Sequence, residues 1–376
     1  MSIRTLDLRE VVWPTLGRDV AAPTDVLSVE TPAERLARRM PLPFPAAAFV
    51  LAFLATVPVL PYIMPSARGS LMTTYFNPEM GAVAGATDVV VKGAMVVLLT
   101  FLIWAPRHLR SRIAQTQESL AGVCGDCAPA FADAFRWAVR WEPAAALTAG
   151  VLAVNLVLYF ANGGRVTPGT VTLFMLDAVQ VGARWMVVFT FFWFYIASIR
   201  GLAALGSEVR QVTPYYVDDM LGMRPLGALS LTLAYTYFLA LGLGAVWASI
   251  SSRNVVTHGA FPVFLAIGLV LFFLPLRVIH RRMVEEKKRA QVELRERYAT
   301  LFEAPRRLPA GSREAERASL DDLRDAIGYE VTERQVQAIK AWPFDTSLIT
   351  KLATSFALPI VLTLVGRQLI LLILHV

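Results

Sequence analysis

Apolar and polar positions separate along this chain into long uncharged runs joined by basic connections. Crossing about 30 Å of hydrocarbon at 1.5 Å per residue takes roughly 20 helical residues, so runs of that length are the primary signal. About seven can be drawn by that criterion. The first, near 44–64, contains Pro58 and Pro61, which kink a helix or end it early. The second lies near 82–104, and the third near 144–160, closed by the turn cluster Asn162-Gly163-Gly164. The fourth covers about 171–199, the fifth 226–250 and the sixth 261–278, which Pro275 is expected to interrupt. The last starts near 348 and carries Pro359 and Arg367. A re-entrant hairpin is the alternative for the first run.

Orientation follows from which short connections carry Lys and Arg. Arg35, Arg38 and Arg39 precede the first run, Arg107, Arg110 and Arg112 follow the second, and Arg200, Arg210 and Arg224 join the fourth to the fifth. Arg277, Arg281, Arg282, Lys287, Lys288 and Arg289 follow the sixth, whereas the alternate connections hold only Arg68, Arg165 and Arg253. The expected fold class is therefore an all-α polytopic membrane protein of about seven transmembrane helices, N-terminus cytoplasmic and C-terminus outside, with cytoplasmic helical extensions.

The organisation expected is a cytoplasmic segment over 1–40, and transmembrane helices one to six over 41–282 with a cytoplasmic helical connection near 106–141. A cytoplasmic helical region over 283–346 and a final transmembrane helix over 347–376 complete it. In the first connection, separate helices are expected at 107–118 and 130–140. Residues 277–306 read as a watery continuation of the sixth span, with pairs such as Glu285/Arg289 and Glu293/Arg297, ended by Pro305 and Pro309. Another helix is expected from Ser319, a capping residue followed by Asp321 and Asp322, to Lys340.

Composition agrees: of 376 residues 56% are hydrophobic and 17% charged, too apolar for an ordinary cytosolic enzyme. The net charge of +7 sits at the ends of apolar runs, so it marks orientation and not a nucleic-acid surface. The first forty residues are polar and mixed in charge, unlike a cleavable signal peptide. A bacterial cytoplasmic (inner) membrane location is expected.

Chemistry-bearing motifs are few. Cys124-Gly125-Asp126-Cys127 has a spacing that suits half a zinc site or a redox pair, with His108 and His280 as cytoplasmic histidines, or it is simply a turn between helices. No nucleophile elbow, phosphate loop or HExxH segment occurs, so no enzyme, cofactor or metal is expected.

Ionisable residues inside the apolar runs say more, since each costs at least about 2.5 to 3.5 kcal/mol at a helix centre unless paired or hydrated. Asp88 and Lys92, four apart, share a face of the second span, and Asp177 and Arg184, seven apart, share a face of the fourth. With Arg367 and its neighbour Gln368 they are candidates for a pore or ion pathway; helix-holding ion pairs and interfacial snorkelling are the alternatives. Pro275 and Pro359 are hinge candidates.

The segment Asp218-Asp219-Met220-Leu221-Gly222-Met223-Arg224-Pro225-Leu226-Gly227, together with Trp342-Pro343-Phe344-Asp345, resembles pieces of a family of uncharacterised bacterial polytopic membrane proteins. At the level of topology alone, the chain is similar to insect odorant and gustatory receptors, which are tetrameric ligand-gated cation channels. The Tyr and Gln motif of their last helix is absent here. This likeness implies a homo-oligomer in a lipid bilayer, with the final helix near a pore, the cytoplasmic helices as anchor, and an ion or small molecule as ligand. The competing expectations are a secondary transporter using the intramembrane Asp and Arg residues, and a membrane sensor or scaffold.

Overall fold

The structure is a computed structural model that describes residues 29–57, 81–124, 128–161, 171–208, 218, 220–251, 255–299, 313–340 and 342, with Thr350, Ala353, Thr354, Ala357, Ile360, Val361, Val365 and Gln368 in the last segment. The helices bounded within the described residues are α1 (Pro32–Arg38), α2 (Phe44–Thr56), α3 (Gly81–Cys124), α4 (Ala128–Phe135), α5 (Glu142–Ala161), α6 (Val171–Glu208), α7 (Arg224–Ser251), α8 (Val255–Arg297) and α9 (Arg313–Ala338). No strand occurs among the described residues. Among the described residues, five helices are long and apolar enough to cross a membrane: Val89–Leu120, Glu142–Ala161, Phe174–Gly206, Arg224–Ile250 and Pro262–Arg297. They correspond to the second through sixth expected spans.

The first expected span is shorter than its apolar run. α2 stops at Thr56 after 13 residues, about 20 Å of helix, less than the hydrocarbon thickness. Val57, with φ −96° and ψ 120°, takes the extended conformation that a residue before proline favours. The last expected span lies mostly outside the described residues; those it includes are helical and exposed.

Elsewhere proline fails to interrupt. α3 runs 44 residues through Pro106, so the expected separate helix at 107–118 is the lower part of one rod. α8 runs 43 residues through Pro262 and Pro275, correcting the expected break in the sixth span. A proline removes one backbone bond, but opening an apolar helix would leave more polar groups without partners, so continuation wins. The expected helix at 130–140 is Ala128–Phe135, after which 136–139 form turns. α9 begins at Arg313, six residues before Ser319, because Arg, Glu and Ala are strong helix formers and one interior Ser costs only tenths of a kcal/mol.

Side-chain pairings set the directions. Thr148 donates to the Met186 sulfur (3.7 Å) and Tyr159 packs on Phe174 (5.3 Å), so α5 and α6 are antiparallel. Tyr195 stacks on Tyr237 at 5.0 Å and Tyr237 donates to the Phe264 carbonyl at 2.8 Å, while Gly206 faces Val278 and Ile279; α6 and α8 are thus parallel and in direct contact, with Tyr237 of α7 bridging them. Arg107 lies over the Phe44 ring at 4.4 Å, and Ala48 and Ala52 pack in a cluster with Leu99 and Ile103, earlier on α3, so α2 runs antiparallel to α3. Arg107, Arg110, Arg200, Arg224 and Arg277 consequently gather at one end of the bundle, the basic end.

Two buried clusters hold the bundle. Near the basic end, Leu109, Ile113, Phe131, Phe135, Leu202, Leu226 and Ile279 interlock α3, α4, α6, α7 and α8. Further along, Ala48 and Ala52 of α2 pack with Leu99, Ile103, Phe191 and Ala240. Beyond the basic end α9 folds back along α8: His280 stacks on Trp342 (4.0 Å), Lys287 donates to the Gln337 and Ile339 carbonyls (2.9 and 2.7 Å), and Tyr298 meets Tyr329 edge-on (5.7 Å). Lys287 thereby supplies donors and positive charge at the carboxyl end of α9.

Gly268 permits a close approach of α8 to α7. A Cβ there would run into Tyr237 Cε1, with Cδ1 at 2.8 Å and Phe238 Cε1 at 3.0 Å. Because the Tyr237 hydroxyl is tied to the Phe264 carbonyl, its ring cannot swing aside. Gly268→Ala is expected to destabilise the bundle by about 1–3 kcal/mol, read as a lowered unfolding midpoint in detergent, and Tyr237→Ala in the same background should relieve part of the clash.

Candidate functional site

The break at the end of α2 leaves backbone groups that the helix itself cannot satisfy. The Leu54 carbonyl would accept from the N–H of residue 58, and the Val57 carbonyl from that of residue 61, but both are proline and have no N–H. The Gln180 side chain of α6 fills the gap: its Nε2 donates to Leu54 O at 3.1 Å and to Val57 O at 3.2 Å. Where lipid replaces water, carbonyls left without a donor are costly, so this amide is what lets a half-length helix end inside an apolar bundle.

Gln180 belongs to a polar stripe. Asp177, Gln180 and Arg184 recur at spacings of three and four, on one face of α6. Asp177 is exposed, while Arg184 is half-buried with its Nε donating to the Gln180 backbone carbonyl at 3.3 Å. That contact folds the guanidinium back along its own helix. Lys92 is also half-buried. Counting back from Arg107 along α3 by the length of α2 places Lys92 about 3 Å beyond the end of α2, at the level of the stripe.

The expected candidates therefore separate. Gln180 is fixed at the end of α2, Asp177 and Arg184 lie about one turn to either side of it along α6, and Lys92 falls at a similar height on α3. Asp88 lies on α3 one turn further from the basic end, with its side chain outside the described residues. Arg367 and Pro359 lie outside them too. Gln368 is helical and exposed. Pro275 is buried inside continuous α8, four residues from the Ile279 that faces Gly206, so it is about 30 Å from Gln180 along the bundle. As a hinge it has no part in the polar break.

Charge alone does not single out Gln180, which is neutral. The signal lies elsewhere in the sequence: Pro58 and Pro61 at the end of an apolar run remove two donors, and a long amide at the matching depth of another span can replace them.

The thiol motif gains little. Cys124 ends α3 and Cys127 is outside the described residues; His108 stacks on Trp104 at 4.5 Å and His280 on Trp342, on different helices. No cluster of metal ligands occurs among the described residues. Asp218, in the segment that carries the family resemblance, ties a tight turn. Its carboxylate accepts from the Met220 and Gly222 amides (3.0 and 2.8 Å), holding Leu221 and Gly222 at φ 56° and 77° and burying Met220, Leu221 and Met223 beneath the start of α7. No protein-family model, curated protein or solved structure matches this chain.

Proposed function

We propose that this chain is the subunit of a homo-oligomeric ion channel or channel-like receptor, with the final helix near the pore and the helices beyond the basic end as the anchor between subunits. The observation that carries the reading is the polar break. Non-helical backbone at membrane depth persists where it is buried in protein or lines water, and here it adjoins a carboxylate, an amide and a guanidinium on one helix face. The positive-inside rule makes the basic end cytoplasmic, which with seven spans puts the N-terminus inside and the C-terminus outside a bacterial inner membrane.

The anchor role draws on α9. One side of this helix packs on α8 through Tyr329 and Val336, yet Leu323, Ile327 and Val331, four apart, form a second apolar stripe that is more than half exposed. Its seven acidic and four basic residues make it unsuited to an anionic membrane surface, so the stripe fits another subunit better than lipid. The reading assigns no catalytic step and no cofactor.

A secondary transporter is the second reading, favoured by the half-length helix itself, since transporters place discontinuous helices at their binding sites. Planar-bilayer recording of the purified chain under chloride and potassium gradients decides between them. Discrete unitary currents whose selectivity changes in Asp177→Asn, Arg184→Gln or Arg367→Ala are the expected result. Absence of unitary steps, with concentrative uptake in vesicles, replaces the channel with the transporter.

A further inference from the structure

We propose that the turn between α4 and α5 is a docking site for the headgroup of an anionic phospholipid in the leaflet at the basic end. The segment is Arg136-Trp137-Ala138-Val139-Arg140-Trp141, in which an Arg-Trp pair recurs after four residues. Apolar sequence begins on both elements beside it. On α6 the uncharged run before Arg200 passes Trp193, whose indole Nε1 donates to the Trp137 carbonyl at 3.0 Å. On α5, Glu142 is the last charge before an apolar stretch that reaches Ala161. Residues 136–141 therefore sit at the rim of the hydrocarbon layer, where indole rings and guanidinium groups are most favourable.

The turn is held rigidly. Ala134 and Phe135 pack against Gly201, where a Cβ would lie 2.6 Å from the Ala134 carbonyl oxygen, and Ala138 N donates to Phe135 O at 2.9 Å. What this scaffold presents outward is Trp137 (38% exposed), Trp141 (41% exposed), Arg136 and Arg140. The Arg140 guanidinium lies 4.7 Å from the Trp137 ring centroid.

Neither arginine has an acidic partner among the described residues, although exposed Asp133 and Glu142 flank them in sequence. Glu142 sits in the first turn of α5, where the positive end of the helix dipole balances it. Two unpaired guanidinium forks at the depth of lipid phosphates match phosphodiester oxygens in bidentate fashion, and the indoles cover the glycerol and upper acyl carbons. The net negative charge of an acidic headgroup adds attraction that a choline headgroup cancels. The occupant is lipid and not a free anion because Trp137 and Trp141 offer apolar surface beside the charge, and because α5, continuing from the same turn, exposes Leu147, Val154 and Val157 to the acyl layer.

The site stands independently of what the chain conducts. Its test titrates the purified full chain in neutral detergent with short-chain phosphatidylglycerol and, separately, phosphatidylcholine, reading bound lipid by native mass spectrometry and the unfolding midpoint. The wild type is expected to bind phosphatidylglycerol about tenfold more tightly than phosphatidylcholine. Arg136→Gln with Arg140→Gln should abolish that preference while leaving the lipid-free midpoint unchanged, and the paired Lys variant should keep part of it. If the double variant does not fold, each single Gln variant should lose part of the preference. Equal binding of both lipids by the wild type, or a preference that survives in the Gln variants, overturns the proposal. So does displacement of the lipid by glycerol phosphate at equal concentration, which would make the site one for free anions.

Discussion

Gln180→Leu is expected to destabilise the protein by about 2 to 4 kcal/mol, because the substitution keeps the apolar stem and leaves two carbonyls without a donor. A graded series separates this from simple loss of packing. Gln180→Asn, one methylene shorter, should retain at most one of the two bonds and fall between wild type and Leu. Gln180→Glu should be worse than Leu when ionised, since a carboxylate has no N–H and sets its charge against the carbonyl oxygens. The decisive comparison is Pro58→Ala, which restores a backbone N–H that serves Leu54 once Val57, freed from the preference imposed by the proline, returns to helical geometry. In that background Gln180→Leu should cost less, and a double-mutant cycle by thermal unfolding in detergent should give a coupling of about 1 kcal/mol or more. Full additivity would mean that the amide does not compensate for the proline.

A loss of about 3 to 5 kcal/mol is expected for Glu34→Ala. The pair it breaks lies at the basic end, where Glu34 of α1 meets Arg110 of α3, 3% and 10% exposed in their side chains. Both partners are otherwise committed. Glu34 Oε2 accepts from the Thr31 amide at 2.8 Å, Thr31 Oγ1 accepts from the Glu34 amide at 3.3 Å, and Arg110 Nη1 donates to the Val29 carbonyl at 2.7 Å. The capping box therefore fixes the carboxylate that holds the arginine, and removing Glu34 strands a buried guanidinium. Arg110→Ala should cost a similar amount for the mirror reason. Replacing the pair together, Glu34→Met with Arg110→Leu, should recover most of the loss because no buried charge remains. Proteolysis should follow the same order, with residues ahead of α2 cut fastest in the single variants.

Legibility of the fold varied from element to element. The five central spans follow directly from run length, because a bilayer admits only backbone whose bonds close within the segment. Their directions also agree with the charges at their ends. Proline was ambiguous: Pro58 coincides with a helix end, whereas Pro106 and Pro275 do not. The residue and its local cost are the same in all three cases. The difference is that α2 has Gln180 beside it to accept the break, while Pro275 is buried where α8 packs on the bundle.

The candidate site shows the same division. Sequence periodicity placed Asp177 and Arg184 on one face, since helical spacing is a local property. It could not pair their helix with the end of α2, 123 to 126 residues from Gln180 along the chain, because register between helices is set by side-chain packing such as Ala48 and Ala52 against Leu99 and Ile103. Likewise, Arg110 read as one more positive-inside residue, and its burial against Glu34 appears only once α1 docks on α3.

The membrane-crossing class, the five central spans and the basic end are written along the chain, because all three depend on transfer of apolar runs out of water and on charge at their termini. Which proline ends a helix, which polar side chain compensates for it, and which arginine is buried emerge from packing. Those outcomes depend on donors and acceptors meeting across long chain separations, where a hydrogen bond exists or fails within a few tenths of an ångström.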